Sequence, residues 1–175
     1  GLAWTSLGGE VLTVETAVLE GSGKLELTGQ MGDVMKESAQ IALSVVRGHE
    51  IPGRDARFYK EHDVHVHIPA GAVPKDGPSA GVTLATAMYS ALSGYKVRSD
   101  LAMTGELSLR GRVLPIGGLK EKILAARQKG IGEVLVPEQN RPDVEKLPEH
   151  VTEGMDIRYM SHIDEVWREA VIDGQ

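Results

Sequence analysis

Apolar and polar residues alternate along this chain with two periods, one typical of strands and one typical of helices. The clearest strand pattern is V-H-V-H-I at residues 64–68, which places the apolar residues on one face and His65 and His67 on the other. Short β-branched or apolar runs predict further strands at 11–19, 24–29, 101–107, 113–114, 133–136 and 156–160. The turn between the first two of these runs predicts a β-hairpin.

Helical periodicity is clear at residues 33–49, where Asp33 is the expected N-cap and Val34 begins the apolar stripe. Small and apolar residues predict a buried helix that begins at Ser79, and similar patterns predict helices at 79–92, 119–129, 141–147 and 163–171. Strands and helices alternate in the second half of the chain, whereas the first half carries the hairpin. This order predicts a single mixed-sheet α/β or α+β domain over residues 1–175.

Composition narrows the classes of function. The 175 residues are 41% hydrophobic but only 4% aromatic, so the core has to be built from aliphatic side chains. The net charge of -6 and the lack of a long basic run do not favour a nucleic-acid-binding surface. The absence of Cys excludes disulfides, a thiol nucleophile and Cys-ligated zinc.

The sequence also shows no membrane-spanning or secretory signal. No apolar stretch has the length of a transmembrane helix, and the first residues, G-L-A-W-T-S-L, lack the basic and apolar regions of a signal peptide. We therefore expect a cytoplasmic protein without a membrane partner. The chain starts without Met, from which we expect a domain excised from a longer protein.

A loop rich in Gly and Pro at residues 69–78 leads to Ser79 at the mouth of a predicted helix. A hydroxyl at this place can cap the helix, or it can act as a nucleophile beside backbone N–H groups that stabilise an oxyanion. Residues 77–81 match G-x-S-x-G, the nucleophile elbow of α/β hydrolases, for which His150 or His162 could be the base. The elbow requires a direct strand–turn–helix junction, which the long loop does not supply.

A serine nucleophile can instead use a lysine base, provided that the amine is neutral near pH 7. Burial without a neighbouring anion lowers the pKa of a lysine, so the candidate has to lie on or beside an apolar helix face. In the predicted helix 119–129, Lys122 lies beside the apolar stripe, and Lys120 lies further round. Periodicity favours Lys122 only mildly, and two solvated lysines are the alternative interpretation.

Two binding functions compete with hydrolysis. His62, His65 and His67 suggest a metal site, although they also fit a polar strand face beside the Ser79 loop. That loop resembles the glycine-rich phosphate-binding motif of the galactokinase and mevalonate kinase group, which would make the chain a phosphate- or nucleotide-binding module. The other nucleotide motifs of those kinases are not evident, and the Gly-Lys pair at 23–24 lacks the neighbours of a phosphate loop.

Two longer motifs carry a more specific resemblance. P-K-D-G-P-S-A-G at residues 74–81 and G-G-L-K-E-K at 117–122 resemble the proteolytic domain of bacterial Lon, the ATP-dependent serine protease. M-T-G-E-L-S-L-R-G-R-V-L-P-I before the second motif, D-V-H-V-H-I-P-A-G-A before the first, and the opening G-L-A-W-T resemble the same family. The match covers nearly the whole chain and weakens after about residue 137.

The resemblance implies an α+β fold like the second domain of ribosomal protein S5 and a Ser–Lys dyad, with Ser79 as nucleophile and Lys122 as general base. Thr104 matches the hydroxyl residue that hydrogen-bonds the lysine, and Asp76 matches the loop acid near the dyad. His65 and His67 match strand positions near the site. The oxyanion and substrate loop around the serine would comprise Gly77, Pro78, Ala80 and Gly81.

The same family implies partners and cofactors. The proteolytic site needs no metal or cofactor, whereas ATP and magnesium act in an AAA+ ATPase module that this chain lacks. Family members form homohexamers and degrade unfolded, tagged and regulatory proteins. The resemblance therefore implies a serine endopeptidase domain of an ATP-dependent protease that serves protein quality control in the cytoplasm.

Overall fold

The computed structural model describes residues 2–4, 11–69 and 76–172. The strands are β1 (Leu2–Trp4), β2 (Val11–Thr13), β3 (Glu15–Glu20), β4 (Leu25–Thr28), β5 (His62–His67), β6 (Lys96–Val97), β7 (Leu101–Met103), β8 (Glu106–Leu107), β9 (Val113–Leu114), β10 (Glu133–Pro137), β11 (Asp156–Met160) and β12 (Val171–Ile172). The helices are α1 (Asp33–Arg47), α2 (Ala56–Glu61), α3 (Gly81–Ser93), α4 (Leu119–Gln128), α5 (Arg141–Glu145), α6 (Glu149–Thr152) and α7 (Ile163–Ala170), with a 3-10 turn at Glu138–Asn140.

The fold is mixed α+β, and the strands of residues 2–4, 11–69 and 76–172 form four small sheets. The largest sheet has the order β11-β10-β7-β1-β2, in which β1, β7, β10 and β11 run parallel and β2 runs antiparallel to β1. A second sheet has the order β3-β5-β4, and β8–β9 and β6–β12 form two-stranded pairs. The helices predicted at 79–92, 119–129, 141–147 and 163–171 are confirmed to within two residues at each end.

The hairpin predicted between the strands at 11–19 and 24–29 is wrong. β5 lies between β3 and β4, antiparallel to β3 and parallel to β4. The turn that joins β3 to β4 wraps around Asp63 at the start of β5, whose carboxylate accepts hydrogen bonds from the N–H groups of Ser22, Gly23 and Lys24 at 2.9, 3.0 and 2.8 Å. These bonds lower the pKa of Asp63. The Gly-Lys turn thus presents its N–H groups to a carboxylate of the chain itself, and the long-range pairing overrides the local hairpin signal.

The first helix also differs from the prediction at its start. Gly32, and not Asp33, is the N-cap residue, and Val34 is 44% exposed while Met35 is buried in the core. The short helix α2 was not predicted, although Asp55 caps it by accepting a hydrogen bond from the N–H of Phe58 at 2.9 Å.

Two hydrophobic clusters lie on opposite faces of the largest sheet. Leu101 and Met103 of β7 belong to the cluster that also holds α1, α3 and α7, whereas Ala102 between them belongs to the cluster that holds α4. Neighbouring residues of a strand point to opposite faces, so β7 separates the two clusters. Helix α3 therefore lies on one side of this strand and helix α4 on the other. Within the part of the chain that the structure describes, no helix has the length and hydropathy to cross a membrane.

Candidate active site

Ser79 lies in a tight turn directly before α3 and is 4% exposed. The helix begins at Gly81 with Ala80 as its N-cap residue, two residues after the predicted start. Residues 68–80 separate β5 from α3, so the strand–turn–helix elbow of α/β hydrolases is not formed. Ser79 is therefore not the N-cap residue of α3, and its role as the nucleophile stays a prediction.

Backbone hydrogen bonds hold this turn against the end of β7. The N–H of Gly105 donates to the carbonyl oxygen of Ser79 at 2.9 Å, and the N–H of Val82 donates to the carbonyl oxygen of Gly105 at 3.1 Å. The N–H of Gly81 donates to the carbonyl oxygen of Pro78 at 3.2 Å. The first N–H groups of α3 are therefore already bonded within the protein, which does not favour the phosphate-binding interpretation of this helix start.

Local geometry explains why both outer positions of the G-x-S-x-G sequence are glycine. Gly77 has a φ of 101°, a backbone conformation that favours glycine. A Cβ atom at Gly81 would lie 2.9 Å from the backbone nitrogen and 3.0 Å from the Cβ of Leu107 in β8. The start of α3 can therefore approach β8 only because residue 81 has no side chain. Pro74 and Lys75 of the longer motif lie outside the described residues.

Lys122 lies on α4 and is 1% exposed, so it does not have the solvated position that lysines usually take. Lys120 and Glu121, its neighbours on the helix, are exposed, because successive residues are rotated by about 100° around the axis. Leu119 and Ile123 are buried beside Lys122 in the second hydrophobic cluster. The mild preference of the periodicity for Lys122 over Lys120 as the buried lysine is therefore confirmed.

The Nζ atom of Lys122 has no hydrogen-bond partner among the described residues. Burial without a compensating anion lowers the pKa of Lys122 from 10.5 to about 8. A lysine with such a pKa is neutral in about a tenth of the molecules at pH 7, compared with fewer than about one in a thousand for a solvated lysine, and the neutral amine is the state that a general base requires.

Thr104 follows β7 directly and is 2% exposed. Its N–H donates to the carbonyl oxygen of Leu135 at 3.1 Å, and its hydroxyl donates to the carbonyl oxygen of Ser79 at 3.4 Å. The hydrogen bond to Lys122 that the resemblance implies is not formed in this structure, because Nζ is without a partner. Thr104 thus joins the sheet to the serine turn.

The serine turn and α4 lie on different sides of β7. Ser79 is bonded through its carbonyl oxygen to Gly105, and α4 packs against Ala102 in the second cluster. The lone Nζ of Lys122 shows that the two side chains are not hydrogen-bonded to each other in this structure. Catalytic hydrogen bonds are often long in the absence of substrate, so this geometry is compatible with a dyad.

Asp76 connects the serine loop to α1. Its carboxylate accepts hydrogen bonds from the N–H groups of Met35, at 2.9 Å, and of Gly77 and Val34, and these bonds lower its pKa. A Cβ atom at Gly32 would lie 2.3 Å from the Cγ of Asp76, so the glycine leaves room for this carboxylate. Asp76 therefore caps α1 from a distant part of the chain, which is the role that the sequence had suggested for Asp33.

The histidines of β5 contact the neighbouring strands. His65 Nε2 and His67 Nδ1 hydrogen-bond the hydroxyl of Thr28 at 2.9 and 2.7 Å. His62 stacks on Phe58 and hydrogen-bonds its carbonyl oxygen through Nδ1 at 2.9 Å. Among the described residues, no group of three His, Asp or Glu side chains is arranged to hold a metal ion. The polar-face interpretation accounts for the observed contacts of His65 and His67.

Sequence reasoning missed one buried polar residue near α4. Asn140 is 2% exposed, and its side chain hydrogen-bonds both the N–H and the carbonyl oxygen of Ile116, just before the G-G-L-K-E-K motif. Nothing in the polar run E-Q-N-R-P-D distinguishes this residue, because its partner lies 24 residues earlier.

The comparisons with known proteins agree on one family. The family model of the Lon protease (S16) C-terminal proteolytic domain matches residues 1–173. The Lon protease of Nitratidesulfovibrio vulgaris is 57% identical over 98% of this chain and 21% of the relative. For the Lon proteases of Lachnoclostridium phytofermentans and Haemophilus influenzae the identity is 56%, over 98% and 95% of this chain and 21% of each relative. The chain thus spans about a fifth of the length of these curated relatives.

Proposed function

Because this chain belongs to the family of Lon protease (S16) C-terminal proteolytic domains, as its motifs indicated, we propose that it is a serine endopeptidase domain with a Ser79–Lys122 dyad. The observation that carries the proposal is the burial of Lys122, whose amine has no hydrogen-bond partner among the described residues and whose pKa is lowered to about 8. Burying a cationic amine is costly, and strongly lowered lysine pKa values cluster at functional sites.

The reaction proceeds through an acyl-enzyme. The neutral amine of Lys122 takes the proton of the Ser79 hydroxyl as the Oγ atom attacks the peptide carbonyl carbon. The resulting ammonium then gives this proton to the nitrogen of the leaving peptide. Lys122 next takes a proton from a water molecule that attacks the ester, and Ser79 recovers its proton when the second product leaves. The nucleophile and the base are both supplied by side chains of this domain.

The oxyanion has to be stabilised by backbone donors. The N–H groups of Gly81 and Val82 at the start of α3 already donate to carbonyl oxygens within the protein. We therefore assign the oxyanion to the N–H groups of Ser79 and Ala80, which substrate binding would align. Gly77 supports this assignment, because its positive φ turns the chain sharply before the serine.

Thr104 would orient the serine turn and, when the loop closes on substrate, the lysine amine. Its hydroxyl donates to the carbonyl oxygen of Ser79 in this structure. Replacing Thr104 by Val should lower kcat about 10-fold, whereas Thr104→Ser should retain most of the activity because it keeps the hydroxyl. Equal kcat values for both variants would contradict this role.

The properties of the whole enzyme follow from the family and are part of the proposal. We propose one proteolytic domain over residues 1–175, with the fold of the second domain of ribosomal protein S5, which the mixed sheet and its packed helices support. Unfolded or tagged proteins are the substrates, and the full-length protein is a cytoplasmic homohexamer. ATP and magnesium would act in an ATPase module outside this chain, and not at the dyad.

A peptide-cleavage assay with matched lysine variants tests the function. Wild-type protein should hydrolyse a fluorogenic peptide and react with a fluorophosphonate probe at Ser79. Lys122→Met should abolish both reactions, whereas Lys120→Met, which changes an exposed lysine of the same helix, should leave them unchanged. Wild-type turnover in Lys122→Met would exclude the dyad, and saturable nucleotide binding without peptide cleavage would favour a phosphate-binding module.

A further inference from the structure

The segment that leads into α4 starts the helix on two glycines. It contains Gly117 and Gly118, and Gly118 is the N-cap residue with a φ of 69° and no capping side chain. The N–H of Lys122 donates to the carbonyl oxygen of Gly118 at 3.1 Å, so Lys122 lies at the first turn of the helix. Any movement of this segment would therefore carry the lysine with it.

The side chain of Asn140 holds this segment from outside. Its Oδ1 accepts a hydrogen bond from the N–H of Ile116 at 2.9 Å, and its Nδ2 donates to the carbonyl oxygen of Ile116 at 2.9 Å. The amide thus pairs with one residue through two bonds, as a neighbouring strand would. Ile116 lies two residues before the N-cap of α4.

The orientation of the Asn140 amide is also fixed. Its Nδ2 donates a second hydrogen bond to Oδ2 of Asp143 at 2.9 Å, so both amide hydrogens and the amide oxygen have partners. A flipped amide would place its oxygen against the carbonyl of Ile116 and the carboxylate of Asp143, which would be repulsive. The side chain can therefore hold Ile116 in only one arrangement.

Asn140 is itself attached to the rigid centre of the fold. It ends the 3-10 turn that follows β10, and Val134 and Val136 of this strand are buried in the cluster that includes Leu119 and Ile123. The amide therefore transmits the position of a central strand to the start of the helix.

We propose that Asn140 is a positioning residue for peptide hydrolysis: its buried amide holds the backbone of Ile116 and thereby fixes where α4 begins and where the Lys122 amine lies. The proposal rests on the proposed role of Lys122 as the base. Small displacements of a catalytic group cost large factors in rate, up to about 100-fold for 1 Å. A displaced α4 would also admit water to the amine, whose burial alone lowers its pKa.

The test compares Asn140→Ala with Val144→Ala. Val144 is 8% exposed, lies on the next helix and packs in the same cluster, so its truncation is a matched loss of packing without a loss of the amide. For both variants the kcat and KM for a fluorogenic peptide are measured from pH 6 to 10, together with the thermal midpoint. The titration of Lys122 is followed by NMR of the 13C-labelled carbon next to the amine.

Asn140→Ala should lower kcat about 10- to 100-fold with little change in KM. The pKa of Lys122 should rise from about 8 towards 10.5, the value of a solvated lysine, both in the pH dependence of kcat and in the NMR titration. Val144→Ala should lower the thermal midpoint but leave the titration of Lys122 in place. An unchanged titration in Asn140→Ala, or an equal shift in both variants, would overturn the proposal.

Asp143→Ala provides a second variant if Asn140→Ala does not fold. Asp143 is exposed, and its loss removes one of the two hydrogen bonds of the Nδ2 group, so the amide is held less firmly while its pair with Ile116 remains. We expect a fall in kcat of about 2- to 5-fold, and wild-type kcat would overturn the proposal. If the wild-type chain does not cleave peptides, the proposed function fails, but the NMR titrations of Lys122 still decide whether Asn140 positions the amine.

Discussion

Ser79 and Lys122 are both almost fully buried, at 4% and 1% exposure, but they are held in different ways. Ser79 lies in a turn that is fixed by backbone hydrogen bonds to Gly105 and, through Asp76, by the start of α1. Lys122 lies on a helix that is fixed by aliphatic packing in the second cluster and by the Asn140 amide. The position of the nucleophile thus depends on loop conformation, and that of the base depends on the placement of a helix.

The serine and lysine sides of the site also differ in the free-energy cost of burying their side chains. A serine hydroxyl is neutral, so its burial changes no charge. The amine of Lys122 is charged at neutral pH when it is in water, and its burial without a hydrogen-bond partner among the described residues opposes folding. The base side of the site should therefore trade stability for activity, whereas the serine side should not.

Removing each member of the dyad is the strongest test of this difference. Both Ser79→Ala and Lys122→Met should lower kcat by at least about 10⁴-fold. Lys122→Met should also raise the free energy of unfolding at pH 7 by about 1 to 3 kcal/mol, because it removes an amine whose pKa is about 8 in the folded chain and 10.5 in water. Ser79→Ala should change it by less than about 1 kcal/mol. Urea titrations measure both changes, and a loss of stability in Lys122→Met would contradict the comparison.

A methyl group at Gly81 tests the loop side. Gly81→Ala would place a Cβ atom 2.9 Å from the backbone nitrogen of Leu107, so the start of α3 and the serine turn have to shift. We expect kcat to fall about 100-fold. Gly132→Ala, for which nothing lies within 4 Å of the added Cβ, should behave as wild type. Comparable losses of kcat in the two variants would show that general destabilisation, and not the serine turn, is responsible.

The pH dependence tests the base side. Below a pKa of about 8 the neutral fraction of Lys122 falls about 10-fold per pH unit, so kcat/KM should rise about 100-fold from pH 6 to a plateau above pH 8.

The free energy of unfolding should also depend on the protonation of Lys122, but over a different pH range. The folded pKa of Lys122 lies below its unfolded value, so the unfolded chain binds more protons between about pH 8 and 10.5. The contribution of Lys122 to the free energy of unfolding should therefore rise with pH across this window and be least favourable below it. Lys122→Met, measured by urea titration across the same pH range, should lack this rise.

In the activity assay, a flat kcat/KM profile from pH 6 to 9 would contradict a lysine base with this pKa.

The smallest expected effect concerns the connection between the serine loop and α1. Asp76→Asn removes the charge that accepts the N–H groups of Met35 and Val34, and we expect the rate of fluorophosphonate labelling at Ser79 to fall several-fold. Asp33→Ala is the matched control, because Asp33 begins the same helix but is not its N-cap residue. The titration of Lys122 should be unchanged in both variants. Equal labelling rates in the two variants would show that the Asp76 cap does not hold the loop.

Much of the fold was predictable because local patterns are strong where one face of an element is buried. The alternation in β5 and the helical spacing in α4 and α7 were confirmed. The hairpin failed because β5, from 34 residues beyond β4, pairs with both of its strands. Local turn chemistry contains no information about a strand that enters from a distance.

The sequence by itself determined the candidate chemistry: a serine after a glycine-rich loop, a lysine beside an apolar helix stripe and two motifs that identify the family. Only the tertiary structure decided that Lys122 is buried with no partner in the described part of the chain, that Asp76 caps α1 and that Asn140 holds Ile116. The physical reason is that burial and capping at these places depend on residues between 24 and 41 positions apart. Periodicity describes one element at a time, whereas the pKa of a lysine depends on everything that packs around it.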